Sequence, residues 1–323
     1  MKRRLVFLLL WLVLFDRAVP RLLDAAERRH YEGTTVFRFE NSDLFGLGPF
    51  VDYLREHPRH ERRRVVFFGN SMLFGYFLTP EQAIPAQYQR LVPDARVYNA
   101  AINGQELGTG YLVGKDIIDD VDVLYVQVVG AAANPMLPTL IPVSDADLLR
   151  FDLMRPERVE QRLQSWLGRV WQLYRLNDRM QAALFGTSAR VYFYMHKRDL
   201  ARLFHVRTLQ PESFAPANGR ISLRAPRVPG FVRRSTERRR MMVDLARLAQ
   251  ARGKRVVFIL FEWDNSPHYD AEVGAFNAAF VPSAETVIVH VPKSITIDGE
   301  HPIPAAAAQI AEALAAHERE RAR

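Results

Sequence analysis

The chain has 323 residues, with 44 Lys and Arg against 36 Asp and Glu, a net charge of +8 and no cysteine. Its 48% apolar and 25% charged residues are those of a globular protein with an ample core, so disorder is set aside, and the missing cysteines exclude disulfides and thiolate metal sites. The basic excess favours anionic surroundings. No zinc-finger spacing, RNA-binding aromatic motif or helix-turn-helix signature accompanies it, so nucleic acid is not an expected partner.

At the N-terminus, Lys2-Arg3-Arg4 precedes eleven apolar residues, 5–15, which Asp16 and Arg17 end. A spanning helix needs about 20 apolar residues, whereas a secretory apolar region takes roughly 7 to 15, so the run fits an export signal. Ala18-Val19-Pro20 puts proline where cleavage is expected, and Leu22-Leu23 continues the apolar pattern. Residues 1–23 therefore read as an uncleaved signal-anchor, with the body in the periplasm or outside the cell. A buried amphipathic helix of a cytoplasmic protein is the alternative. Residues 24–64, polar and irregular, read as a stalk.

From residue 65 onward the pattern is that of one α/β domain, 65–323. Val65-Val66-Phe67-Phe68 is a continuous apolar run ending in glycine, as in a central parallel strand covered on both faces. A helix is predicted over 81–91, a strand over 96–99, a helix over 105–118 despite its glycines, and the clearest strand over 121–129. After a middle region come a helix over 241–251, a strand over 255–261, a helix over 270–280, a strand over 287–291 and a closing helix over 305–323. About five apolar strands alternating with helices imply right-handed crossovers and a parallel sheet between helical layers.

Residues 135–235 interrupt the alternation as a mostly helical and looped insertion. Val159, Leu163, Trp166, Val170 and Leu173 recur at helical spacing, and Pro211, Pro216, Pro226 and Pro229 mark long loops. Trp166 and Trp171 belong either to a helix on the sheet edge or to a ligand platform. Such an insertion often forms a lid or a partner surface.

Ligands of open parallel α/β sheets bind outside the carboxyl ends of the strands. The chemistry-bearing residues fall there: Ser71 after the first predicted strand, Gly104 after the second, Asn134 after the third, and Asp298-Gly299-Glu300-His301 after the fifth. A serine hydroxyl reacts when an imidazole takes its proton and a carboxylate fixes that imidazole's tautomer. Asp298 and His301 supply both groups from one turn. Each residue also has a plainer role: Ser71 as a cap, Gly104 in a turn, Asn134 at a loop start, Asp298 as a helix cap with His301 packed beside it. His290 lies within a strand pattern as a structural histidine, His268 is a further candidate, and Glu262 and Asp264 end the fourth strand near the site. No grouping has metal spacing, and no cofactor is expected.

These blocks resemble the SGNH hydrolases, the GDSL-type esterases, whose serine, glycine, asparagine and Asp-x-x-His blocks follow this order along a flavodoxin-like sheet. Phe68-Gly69-Asn70-Ser71-Met72 resembles the first block, Asn103-Gly104 the second, residues 130–134 the third, and Asp298-Gly299-Glu300-His301-Pro302 the last. The resemblance covers residues 65–134 and 254–323. Asn70 stands where the family usually has aspartate, and Asn134 is four residues after Gly130 where the family places asparagine two after. The resemblance implies acyl transfer: Ser71 attacks an ester, His301 takes its proton, Asp298 holds the imidazole, and the Ser71 and Gly104 N–H groups with the Asn134 side chain hold the oxyanion. The single-anchor layout resembles envelope members that move acyl groups onto or off polysaccharides. That implies an acylated, chiefly acetylated, carbohydrate substrate, and leaves room for an envelope protein partner. A catalytically idle polysaccharide-binding or assembly protein of the same fold, and a membrane-held scaffold, are the alternatives.

Overall fold

A computed structural model of the chain describes residues 2–33, 37–38, 47–56, 62–102, 105, 107–128, 166–167, 170–171, 173, 219–224, 236–263 and 284–321. The chain divides into two compact units, one of Met1–Thr35, Glu40–Glu56 and Pro142–Phe204, the other of Val36–Phe39, His57–Ile141 and His205–Arg323. In the first, α1 (Lys2–Gly33) carries the N-terminal apolar run, whose side chains from 6 to 15 are each between 48% and 63% exposed. Asp16 Oδ1 accepts the Leu173 N–H at 2.8 Å. At 1.5 Å per residue an eleven-residue run is about 16 Å long, roughly half the apolar thickness of a bilayer. Among the described residues no helix is long and apolar enough to cross a membrane.

Part of the segment read as an irregular stalk, 24–64, lies among the described residues, and there the chain forms helix and strand. α1 runs on to Gly33, α2 (Leu47–Glu56) follows, and Phe37–Arg38 forms a strand of the other unit's sheet. α2 buries Leu47, Phe50, Val51 and Leu54, spaced i, i+3, i+4 and i+7, while Asp52, Arg55 and Glu56 stay exposed.

The second unit is built on a 7-stranded sheet of order β1-β3-β2-β4-β6-β7-β5. Its strands are β1 (Phe37–Arg38), β2 (Arg63–Phe68), β3 (Ala95–Asn99), β4 (Val123–Gln127), β5 (Ser222–Arg224), β6 (Arg255–Trp263) and β7 (Ala284–Val291). The five strands read from the sequence are β2, β3, β4, β6 and β7, all parallel, and their order across the sheet is 2-1-3-4-5, a doubly wound arrangement. The expected count of about five is corrected by β1 and β5, which add one short strand at each edge. With two and three residues they are too short for an apolar period to register. β5 also runs antiparallel to β7, so the sheet is mixed. The chain leaves β2 outward to β3 and returns on the other side of β2 as β4, which makes the carboxyl end of β2 the switch point of the sheet.

Helices cover both faces. Against one lie α4 (Ile84–Leu91) and α7 (Pro304–Arg321), where Tyr88, Ile310 and Leu314 join Val65, Phe67, Tyr125, Val257, Ile259 and Val289 in one buried cluster. Pro85 sits in the first turn of α4, where its missing N–H costs no helical bond. Against the other lie α5 (Leu107–Ile117) and α6 (Thr236–Ala251). The glycines that weaken the propensity of α5 serve packing, since a Cβ at Gly110 would stand 3.3 Å from Phe68 Cβ and Val126 Cγ1.

Near the amino ends of the strands lies a buried polar network. Arg63 Nη1 donates to Glu318 Oε1 at 2.6 Å, and the Tyr125 hydroxyl donates to Glu318 Oε2 at 3.2 Å. Arg255 grips Glu285 with two bonds of 2.7 Å, and His317 Nε2 lies 3.2 Å from the same carboxylate. Burial pushes the Tyr125 hydroxyl up to about 12 against the pull of Arg255 and Arg63, so it remains a donor. Burial, and then the charge of Arg255, holds His317 below its ordinary value.

Asn103, Gly104, residues 130–134, Asp264, His268, the helix predicted over 270–280 and most of the 135–235 insertion lie outside the described residues.

Candidate active site

The segment after β2 turns sharply into α3 (Ser71–Phe74), and its backbone donors are held one by one. The Gly69 N–H goes to Gln105 Oε1 at 2.7 Å, the Asn70 N–H to Gln127 Oε1 at 3.0 Å, and the Met72 N–H to Asn70 Oδ1 at 3.1 Å. Among the described residues no group accepts the N–H or the hydroxyl proton of Ser71. Asn70, not Ser71, therefore caps this helix, which removes the plainer role of the serine. Gly69 is required by close approach: a Cβ there would lie 2.5 Å from Gln127 Oε1 and 2.7 Å from Leu73 Cδ1. From β3, buried Asn99 adds a bond from Nδ2 to the Leu73 carbonyl at 2.9 Å.

After β7 the chain forms a compact turn whose ends pair Thr296 with Pro302. Asp298 Oδ1 accepts the N–H groups of Glu300 at 3.0 Å and His301 at 2.8 Å, and Gly299 takes φ of +92°, a value that suits a residue without Cβ. Asp298 Oδ2 meets His301 Nδ1 at 2.7 Å. A carboxylate only accepts, so Nδ1 donates this bond, and in the neutral form of the ring the lone pair is on Nε2. Burial acts to raise the Asp298 carboxyl, but the bonds from the His301 backbone, the imidazole and the Glu300 backbone outweigh it and hold it below the ordinary range. Asp298 caps its own turn, not the closing helix, which starts at Pro304.

His301 is 9% exposed, and its Nε2 is buried without a hydrogen-bond partner among the described residues. An orphaned buried polar atom costs about 1–3 kcal/mol and calls for an explanation. The imidazole packs on the segment that carries the serine: its centroid is 5.3 Å from the Tyr76 ring and 5.6 Å from the Phe77 ring, and the Tyr76 N–H bonds the Ser71 carbonyl at 2.9 Å. The structure thus brings the Asp298–His301 turn against the Ser71 segment at the switch point of the sheet.

Gly104 and Asn134 lie outside the described residues. Glu262 and His290 are neighbours on β6 and β7, with His290 Nδ1 3.4 Å from Glu262 Oε2. Strand alternation puts them on the face opposite Val257, Ile259 and Phe261, away from the cluster that includes Met72, Leu73 and Ile303. Trp166 and Trp171 are 57% and 46% exposed. Among the described residues no group of three His, Asp or Glu side chains comes together as metal ligands would. Sequence reasoning missed Gln105 and Gln127, whose signal was an uncharged polar residue at the end of an apolar strand or just after a turn glycine. It also missed Phe77, which nothing in the sequence marks.

No protein-family model and no curated protein matches this sequence. Among solved structures, the chain is similar to the crystal structure of a two-domain esterase active on acetylated mannans, co-crystallised with mannopentaose. The identity is 12% and the TM-score 0.36, over 90% of this chain and 56% of that one, so the chain spans little more than half of that protein's length.

Proposed function

We propose that the protein is a serine-dependent esterase or O-acyltransferase of the SGNH-hydrolase kind, acting on acyl, chiefly acetyl, esters of a cell-envelope polysaccharide. The observation that carries the reading is the imidazole of His301, tied to Asp298 through Nδ1, with a buried and unspent Nε2, packed on the segment of Ser71.

In this mechanism the Ser71 oxygen attacks the ester carbonyl while its proton passes to His301 Nε2. Asp298 keeps the imidazole in the productive tautomer and stabilises its charged form. The oxyanion is held by the Ser71 N–H, left free by the bonding of its neighbours, together with the Gly104 N–H and the Asn134 amide. Each such donor is worth about 100-fold to 1000-fold in turnover. Collapse expels the sugar oxygen, which takes the proton from His301 and leaves an acyl-serine. Water or a second sugar hydroxyl then attacks that ester by the same steps in reverse. The reading includes attachment to the membrane through the exposed apolar run near the start of α1, as a signal-anchor with the body exported, and an envelope protein as a further partner.

A second reading, a catalytically idle polysaccharide-binding protein of the same fold, is favoured by the absence of a Ser71–His301 hydrogen bond. Catalytic bonds often tighten only with substrate present. Fluorophosphonate, which labels serines activated by a base, separates the two. The enzyme reading expects labelling that disappears in both Ser71→Ala and His301→Ala, with acetate released from an acetylated glycan such as xylan, alginate or peptidoglycan fragments. A folded protein that takes up no label favours the idle binder.

A further inference from the structure

Among the described residues Phe77 alone combines a side chain with a positive φ, at +68°. That left-handed region brings Cβ against the carbonyl and suits glycine, so an aromatic residue there is strained unless its surroundings hold it. The core does not explain the choice. Phe74 and Leu78 on either side are 8% and 2% exposed and belong to the buried cluster, whereas Phe77 is only half-buried and lies outside it.

What the Phe77 ring touches is the His301 imidazole, edge to face at 84° with centroids 5.6 Å apart. Tyr76 supports it from the side, 4.3 Å from the Phe77 ring and 5.3 Å from the imidazole. This pair is fastened to the serine, because the Ser71 carbonyl accepts both the Gly75 N–H at 3.0 Å and the Tyr76 N–H at 2.9 Å. The chain holds the imidazole through Cβ and Asp298 holds it at Nδ1, which together leave rotation about the line joining those two atoms. A further restraint is needed before Nε2 holds one direction.

We propose that Phe77 is a positioning residue: its strained backbone aims an aromatic ring at His301 and sets the imidazole plane in which Nε2 addresses Ser71. The inference rests on the acyl-transfer reading for its kinetic consequence, but not for the ring contact itself. Strain retained for a contact with a base is expected where pre-organisation matters more than stability.

The test uses Phe77→Gly, which relieves the backbone while removing the ring, and Phe77→Tyr, which keeps a ring. Phe77→Gly is expected to melt at or above the wild-type temperature while kcat falls by about 10-fold to 100-fold, with KM changed by less than about twofold. Phe77→Tyr is expected to restore most of kcat. In the same samples, NMR of the His301 imidazole protons is expected to show a shift in Phe77→Gly and little change in Phe77→Tyr. A Phe77→Gly protein that keeps its kcat, or loses it only in step with its melting temperature, overturns the proposal. Unmoved His301 resonances overturn it too, and that reading stands even if the wild type proves inert towards fluorophosphonate, an outcome that would instead remove the acyl-transfer mechanism.

Discussion

Asp298 uses its two oxygens for different tasks, one for the backbone of its own turn and one for the imidazole. Asp298→Asn separates them. The amide oxygen can still serve the turn, but an NH2 group facing Nδ1 drives the proton to Nε2, where the base must be empty. With the fold unchanged by circular dichroism, turnover is expected to fall by about 1000-fold to 10,000-fold. Because the folded carboxyl titrates below its ordinary value, its stabilising contribution is complete above that ordinary value and is lost as the pH falls through the lowered one. Asp298 and His301 were legible in the sequence because three residues of spacing confine both groups to one turn. Gln105, Gln127 and Asn99 were not, since each acts on a backbone group that the sheet brings near from 26 to 57 residues away. Phe77 was illegible for another reason: residue type argues against a left-handed backbone there, yet Phe77 takes it inside a turn that the Leu78 N–H closes on the Gly75 carbonyl at 2.9 Å.

At the level of elements, β2, β4, β6 and β7 were readable because both faces of each are covered, which writes a continuous apolar run into the chain, whereas β3 carries Arg96 and Asn99 and offers only Val97-Tyr98. The switch point then followed from their order in space, which alternation alone does not give. α2 escaped notice because its apolar stripe spans only ten residues and includes Gly48 and Pro49. The polar network was equally hidden, its members standing at the starts of β2, β6 and β7 and near the end of α7. From α7, Glu318 reaches Arg63 on β2, Tyr125 on β4 and Arg255 on β6. Glu318→Leu removes the acceptor that the Arg63 guanidinium and the Tyr125 hydroxyl share, though Arg63 keeps Asp94 and Tyr125 keeps Tyr88, a loss of about 1–2 kcal/mol. Urea unfolding should show it as a lower midpoint with an unchanged slope.

For the whole molecule, the net charge of +8 and the exposed apolar run near the start of α1 make different claims about attachment. Charge alone gives binding that salt reverses, whereas apolar insertion resists salt and yields to detergent. Full-length protein in fractionated cells is expected in the membrane pellet through a high-salt wash and in solution after detergent. Release by salt would assign the attachment to the basic surface. The sheet also ends in an instructive way. Among the described residues one flank is closed by the two residues of β1 and the other by the three of β5 running against the grain, so each outermost strand offers few open N–H and C=O groups to a passing chain. Strand addition along those two short edges is thereby discouraged.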